Sequence, residues 1–488
     1  MFPLLTPLVV TDEAALDLAR AMTAGGEGDR GACANPQIPA GVTFVLQFMA
    51  HDLTLGRSGA AAAVPAPGCI DRARTPALDL ACLYAGTPDD RPDLYRRELR
   101  RPYGPSNYFL LGLTAPSTGQ NIRDPLSNDL PRNRLGTTIA ADPRNDANLV
   151  LAQLHVALLK FHNAVVDHLA STRPELRGPD QFREARRIVT WHYQWAVLFD
   201  VVGRLVEPAA MAQIRHFSRR FPTWEHVPAL PAEFLGTLLH IHHATVQGAY
   251  DINRICRQGG QFGPATLADL FGFTGGGGAI VGDLRDEEGV EDTPAVPGGK
   301  LKALPGNRVI DWRRFFELGP RPVPNPSRRI ETRLSPTLWA ADDDPEGDAG
   351  LALQLLRQGV RLGLPSGQDV ARFLGVRVLS AEEIATGPAG EVARARGIDG
   401  HTPLWFYILR EAAVIADGER LGPVGSVILA ETVLGVLERD PASFLAARTD
   451  WQPELPAAVP ETFTIADLLR FVDDINPIGG ACHALEKG

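Results

Sequence analysis

Cysteine is scarce in this chain: Cys33, Cys69, Cys82, Cys256 and Cys482 are the only five, and none lie in a CxxC pair. The odd count and the spacing argue against a disulfide framework or a zinc ribbon. A basic surplus is also missing, since 48 Lys and Arg against 58 Asp and Glu leave a net charge of -10. Phosphate backbones need a basic face, and the one arginine-rich stretch, "RRELRR" at 96–101, reads as solvated surface, so no nucleic-acid partner is expected. The opening "MFPLLTPLVVTDEAA" is apolar but too short to span a bilayer and has no basic leader, so a soluble, cytoplasmic protein is expected. Runs alternating apolar and polar residues are few, which argues against a sheet protein. The "GGGG" at 275–278 has no following GK[ST] and reads as a flexible loop, not a phosphate cradle.

What is present is an ordinary globular composition, 44% hydrophobic and 22% charged, sufficient for a sizeable core. No charged or low-complexity linker divides the 488 residues, and a single domain is expected over 1–488. The fold class expected is mainly α, with long irregular loops at 56–145 and 272–310 punctuated by many of the 40 prolines and 48 glycines. Leu151, Leu154, Leu158, Phe161, Val165 and Leu169 recur at steps of three and four, which predicts a core-facing helix over 146–170 with Asp142 or Asp146 as its cap. A second long helix is expected over 179–206 and a third, apolar on nearly every side and therefore central, over 231–253. Shorter helices are expected at 348–362, 366–374, 404–415, 423–438 and 464–472.

Three polar features interrupt apolar surroundings: Gln47 and His51 within "LQFMAHDLTL" (46–55), Arg144 just before the first long helix, and His240, His242 and His243. Taken singly, each reads as a buried polar group satisfied by hydrogen bonds. Taken together they match what an iron porphyrin and a peroxide require. One imidazole ligates the iron, a base moves a proton between the two peroxide oxygens, and a cation offsets the charge on the departing oxygen. A haem-free metal site built from the three histidines is disfavoured, because adjacent residues of an α-helix diverge by roughly 100°.

These segments also resemble a family. "LQFMAHDLTL" is similar to the distal segment of the animal-type haem peroxidases, the peroxidase-cyclooxygenase superfamily, and "DPRNDANLVLAQLHVALLKFHNAVVDHL" (142–169) to its arginine-bearing helix. "HHATVQGAYDIN" (242–253) resembles the proximal-histidine segment. "WHYQW" at 191, "TRLSPTLW" at 332, "LGLPSGQDVARFLG" at 362 and "TPLWFYILREA" at 402 are similar to bacterial members, in order from about residue 41 to the end. The resemblance implies a haem peroxidase-like fold around a helical haem pocket, with His51 as acid-base residue, Gln47 beside it, Arg144 as distal cation and His243 as iron ligand. It implies a calcium ion held by Asp52, Thr75, the carbonyl of Ala77 and Asp79, with Ala81 where the pattern has an oxygen-bearing side chain. His155 and His162 are expected to be structural.

Departures from the family pattern bear on the chemistry. Ala50 and Ala147 stand where relatives form ester links to haem, so haem b is expected to be held without covalent links. Leu355, with Gln354 beside it, stands where an Asn accepts the N–H of the proximal imidazole, which implies a weaker electron donor to iron. His240 and Gln247 replace arginines of bacterial members, and His240 also falls where cyclooxygenase-type members carry their radical tyrosine. Tyr250 and Tyr193 are alternative radical sites, both in motifs where the family uses tyrosine for structure. The function expected is oxidation of a small organic donor by hydrogen peroxide. The alternatives are an oxygenase or peroxygenase of a biosynthetic pathway, or a haem-binding relative without turnover.

Overall fold

The computed structural model describes residues 1–24, 33–55, 75–97, 105–117, 122, 125–133, 135–217, 219–221, 229–280, 302–335, 350–448 and 450–479. Cys69, Cys482, residues 98–101 of the arginine-rich stretch, residues 336–339 of "TRLSPTLW" and parts of both expected long loops lie outside them. The chain folds as two compact units, each assembled from separated stretches. The first comprises Met1–Ala77, Val197–Gly248 and Pro326–Thr449, the second Leu78–Ala196, Ala249–Asn325 and Asp450–Gly488. Both are mainly helical, and among the described residues the strands form only two-stranded antiparallel ladders.

In the first unit the helix Gly41–Leu53 packs against the segment Leu238–Thr245, and the helix Pro423–Arg439 also packs on that segment. The ladder of Ala34–Pro39 with Pro326–Arg328 pairs Ala34 with Arg328, and the strand Pro326–Arg328 packs against both Gly41–Leu53 and Leu238–Thr245. The expected helices at 348–362, 366–374, 404–415 and 423–438 form as Gly350–Arg361, Gly367–Leu374, Leu404–Ala416 and Pro423–Arg439. Pro423–Arg439 has no side-chain cap of its own; the buried carboxyl of Glu411 accepts from Val424 N at 3.0 Å instead. Gly422 is required there, since a Cβ would lie 2.4 Å from Glu411 Cγ.

The third long helix is not continuous. One α-turn, Ala232–Leu235, ends at Gly236, and Leu238–Thr245 is wound as a 3-10 helix before the chain extends at Ala249–Tyr250. Thr237, at φ -140° and ψ -78°, breaks the helical path. Gly236 is pressed so closely that a Cβ would lie 2.8 Å from both Leu362 Cδ1 and Leu364 Cδ1. Apolar periodicity does not separate a tight 3-10 winding from an α-helix over so short a run, but the winding matters because it brings residues three apart onto one face.

In the second unit Leu149–Thr172 is central and packs on Pro179–Ala196, Ile465–Val472, Leu267–Gly272 and the strand Pro105–Phe109. The predicted stripe is buried along its length. By length and composition this helix passes as a candidate membrane span, yet its apolar window is mostly buried inside the protein. Its cap is Asn148, in extended conformation, whose side-chain oxygen accepts from Leu151 N at 2.9 Å; it is neither Asp142 nor Asp146. Asp142 caps the preceding 3-10 turn Pro143–Asp146, and Arg132 holds Asp146 at 2.6 Å. From Pro179 the chain stays helical to Leu205, through a π-helical stretch Val197–Val202. The four-glycine stretch is a tight turn. Gly275 N donates to Asp146 Oδ2 at 2.9 Å, and a Cβ on Gly277 would sit 2.0 Å from the carbonyl oxygen of Phe271.

Three histidines of this unit are held as neutral rings. Asn145 Nδ2 donates to His155 Nδ1 at 3.0 Å. Tyr84 Oη donates to His162 Nδ1 at 2.9 Å while His162 Nε2 donates to the Asn107 carbonyl. His192 Nδ1 donates to the Ile188 carbonyl and its Nε2 accepts from the backbone N–H groups of Glu454 and Leu455. Burial holds all three down to about 4. The unfolded chain, with ordinary imidazoles near 6.5, then binds more protons below that value than the folded chain does. Their stabilisation is complete above pH 6.5 and is lost as pH falls toward 4, by about 3 kcal/mol each at most. Urea melts between pH 7 and 4.5 should therefore show stability falling steeply below pH 6. A flat profile across pH 7 to 5 would remove this account.

Candidate active site

The helix Gly41–Leu53 is buried at every position except two. Gln47 and His51, one turn apart, are half-buried and therefore share the one face that is open. On the segment packed against it, Leu238, Leu239, Ile241, His242, Ala244 and Thr245 are buried, and the two half-buried residues are His240 and His243. Their spacing of three is the period of the 3-10 winding, and their rings lie parallel, with centroids 5.8 Å apart and planes 10° apart. Thr43 Oγ1 and Thr245 Oγ1, 2.9 Å apart, tie the two elements together.

Burial, together with His240 and His51, holds His243 down to about 3, and burial alone holds His240 down to about 4. His242, fully buried with His243 and His240 beside it, lies well below the ordinary value too. All three rings are thus neutral at pH 7, the form that ligates iron. Nε2 of His240 and Nδ1 of both His242 and His243 are buried without a hydrogen-bond partner. A neutral imidazole on the half-buried His243 fits an axial ligand, and Gln47 with His51 fits the side where peroxide is handled. The unpartnered Nδ1 of His243 matches the absence of an accepting Asn, the position being occupied by Leu355, buried in the helix Gly350–Arg361. The three imidazoles do lie close, with His242 and His243 centroids 4.0 Å apart. Even so, among the described residues no group of three His, Cys, Asp or Glu could hold a metal ion by itself.

Arg144 belongs to the second unit, on the turn Pro143–Asp146. Its guanidinium is forked onto Asp142, Nε at 3.0 and 3.1 Å from the two carboxylate oxygens and Nη2 at 2.6 Å. Asp142 is buried, whereas the arginine side chain is 37% exposed. Sequence reasoning gave Asp142 only the role of a possible helix cap; its place two residues before Arg144 was the available signal.

The implied calcium set fits less well. Asp52 is buried in the first unit, with Thr75 exposed and Ala77 half-buried, while Asp79 belongs to the second. Asp79 Oδ1 already accepts from Ala81 N at 3.2 Å. Two carboxylates, a hydroxyl and a carbonyl reach six oxygens only if both carboxylates are bidentate, the low end of the roughly six to eight calcium takes.

Fold and site together define a mainly helical scaffold in which a short 3-10 segment presents two parallel imidazoles. Residues 75–271 match the model of the animal haem peroxidase family. Among solved structures the chain resembles peroxidase A from Dictyostelium discoideum, with a TM-score of 0.60 at 15% identity over 98% of this chain and 93% of that one. It also resembles the fatty acid alpha-dioxygenases of Oryza sativa (TM-score 0.57, 14% identity, 96% and 78% covered) and Arabidopsis thaliana (0.57, 15%, 96% and 75%). No curated protein matches it by sequence. His243 and Arg144 fall inside the matched stretch, whereas His51 and Gln47 precede it.

Proposed function

We propose that the chain is a haem-dependent peroxidase that uses hydrogen peroxide to oxidise a small organic donor. The observation that carries this reading is the two pairs of half-buried polar residues in the first unit, Gln47 with His51 and His240 with His243, on two elements packed together. Haem b, when bound, would supply the two-electron reduction of the peroxide and the later oxidation of the donor. His243 would hold it through a ring nitrogen. His51 takes the proton from the peroxide oxygen that stays and delivers it to the oxygen that leaves, so that water departs instead of hydroxide. Gln47, on the same face, offers its amide as a hydrogen-bond partner to the peroxide. Motif order assigns Arg144 the offsetting of charge on the departing oxygen, and Asp142 fixes the orientation of its guanidinium by two-point pairing.

The test is a haemin titration of the purified chain, with spectra before and after one equivalent of hydrogen peroxide, followed by extraction with acidified butanone. A Soret band that shifts on peroxide and leaves with the solvent is expected, because Ala50 and Ala147 offer no carboxylate for an ester link. A band indifferent to peroxide would end the peroxidase reading. A second reading, oxygen transfer to one bound substrate, is favoured by the buried Nδ1 of His243, whose lack of an acceptor leaves the ring a weaker donor to iron. Isotope-labelled oxygen in the product would select it over donor oxidation.

A further inference from the structure

Arg328 lies on the strand Pro326–Arg328 of the first unit and is only 6% exposed. An arginine cannot shed its charge in a protein interior, so a buried one needs acceptors on its forked donors. This one has few. Its Nη2 reaches Glu331 Oε1 at 3.2 Å, a single-point contact to a carboxylate that also faces Arg333 at 3.6 Å. Its Nε is buried without a hydrogen-bond partner. The strand's position is equally informative: it packs against both Gly41–Leu53 and Leu238–Thr245, the two elements that present His51 and His243. It is tied to the chain just beyond His243, since Gln247 Nε2 donates to the carbonyl of the neighbouring Ser327 at 3.1 Å. An under-used buried cation beside these elements fits a carboxylate that arrives with a ligand, and haem carries two.

We propose that Arg328 receives a haem propionate in this chain, an assignment that rests on the haem reading above. The pairing adds a charge-assisted hydrogen bond and neutralises two groups that are each costly to bury alone. Glu331 then serves as a resident counter-charge to Arg328.

The experiment compares haemin with haemin dimethyl ester, which has the same ring and iron but no free carboxylate, by Soret titration of the wild type, Arg328→Gln, Arg328→Lys and Glu331→Gln. Arg328→Gln should weaken haemin binding roughly tenfold or more and leave the diester's affinity unchanged. Arg328→Lys, which keeps the charge, should retain most of the preference for haemin, and it stands in if the glutamine variant fails to fold. Glu331→Gln should bind haemin as tightly as the wild type or tighter. If Arg328→Gln weakens both ligands equally, or neither, the assignment is overturned. The same holds if Glu331→Gln loosens haemin as much as Arg328→Gln does, since the pair would then be a structural one. A wild type that binds the diester but shows no preference for haemin would overturn this assignment alone, whereas a wild type that binds neither would overturn the haem reading itself.

Discussion

Replacing His243 with alanine should abolish the histidine-ligated haem spectrum and weaken haemin binding by more than roughly a hundredfold, beyond the loss typical for removing a ligand's supporting partner. His242→Ala should keep the spectrum, because that ring is buried and is not one of the two that the 3-10 winding brings to the open face. His240→Ala is the sharper control. It removes a ring stacked parallel to His243 on the same face, so that face would be perturbed while the ligand stays. A retained spectrum in His240→Ala beside a lost one in His243→Ala assigns the iron to 243. Loss in His240→Ala alone would move the ligand by one 3-10 turn, and loss in His242→Ala alone would mean that the open face has been misjudged.

The second large effect is expected at His51. His51→Ala should slow peroxide consumption by a factor of about 10² to 10⁴, the span of a positioned acid-base group, with haemin affinity unchanged. Gln47→Ala removes one hydrogen bond and should cost roughly tenfold. The contrast separates proton transfer from binding. His51→Ala should lower the rate of the first peroxide-dependent spectral change across the pH range, whereas Gln47→Ala should act mainly by raising the peroxide concentration needed. An unchanged rate in His51→Ala would sink the distal assignment and leave the oxygen-transfer reading as the stronger one.

Much of this was legible along the chain, for identifiable reasons. The helix Leu149–Thr172 was visible because six apolar residues at steps of three and four leave few other ways to bury them. Gln47 and His51 stood out as polar residues one turn apart in an apolar run, and the open face they share agrees with that spacing. The break in the third helix was not visible, because what presses on Gly236 is Leu362 and Leu364, more than a hundred residues away in sequence. Two discontinuous units left no linker to read, as each recruits stretches from both halves of the chain. Arg328 drew no notice in sequence, where one arginine looks much like another.

By itself the sequence determined the mainly helical class, the order of the motifs and the residue types on offer: histidines, a glutamine and an arginine in apolar surroundings. These follow from local periodicity and side-chain chemistry, which neighbours three or four positions apart are enough to define. Only the tertiary structure decided which histidine rings lie parallel on one face, that Arg144 is forked onto Asp142, that Nδ1 of His243 has no acceptor, and that Arg328 is a buried cation short of partners. Exposure and hydrogen-bond satisfaction depend on groups brought together from distant parts of the chain, and no local pattern records them.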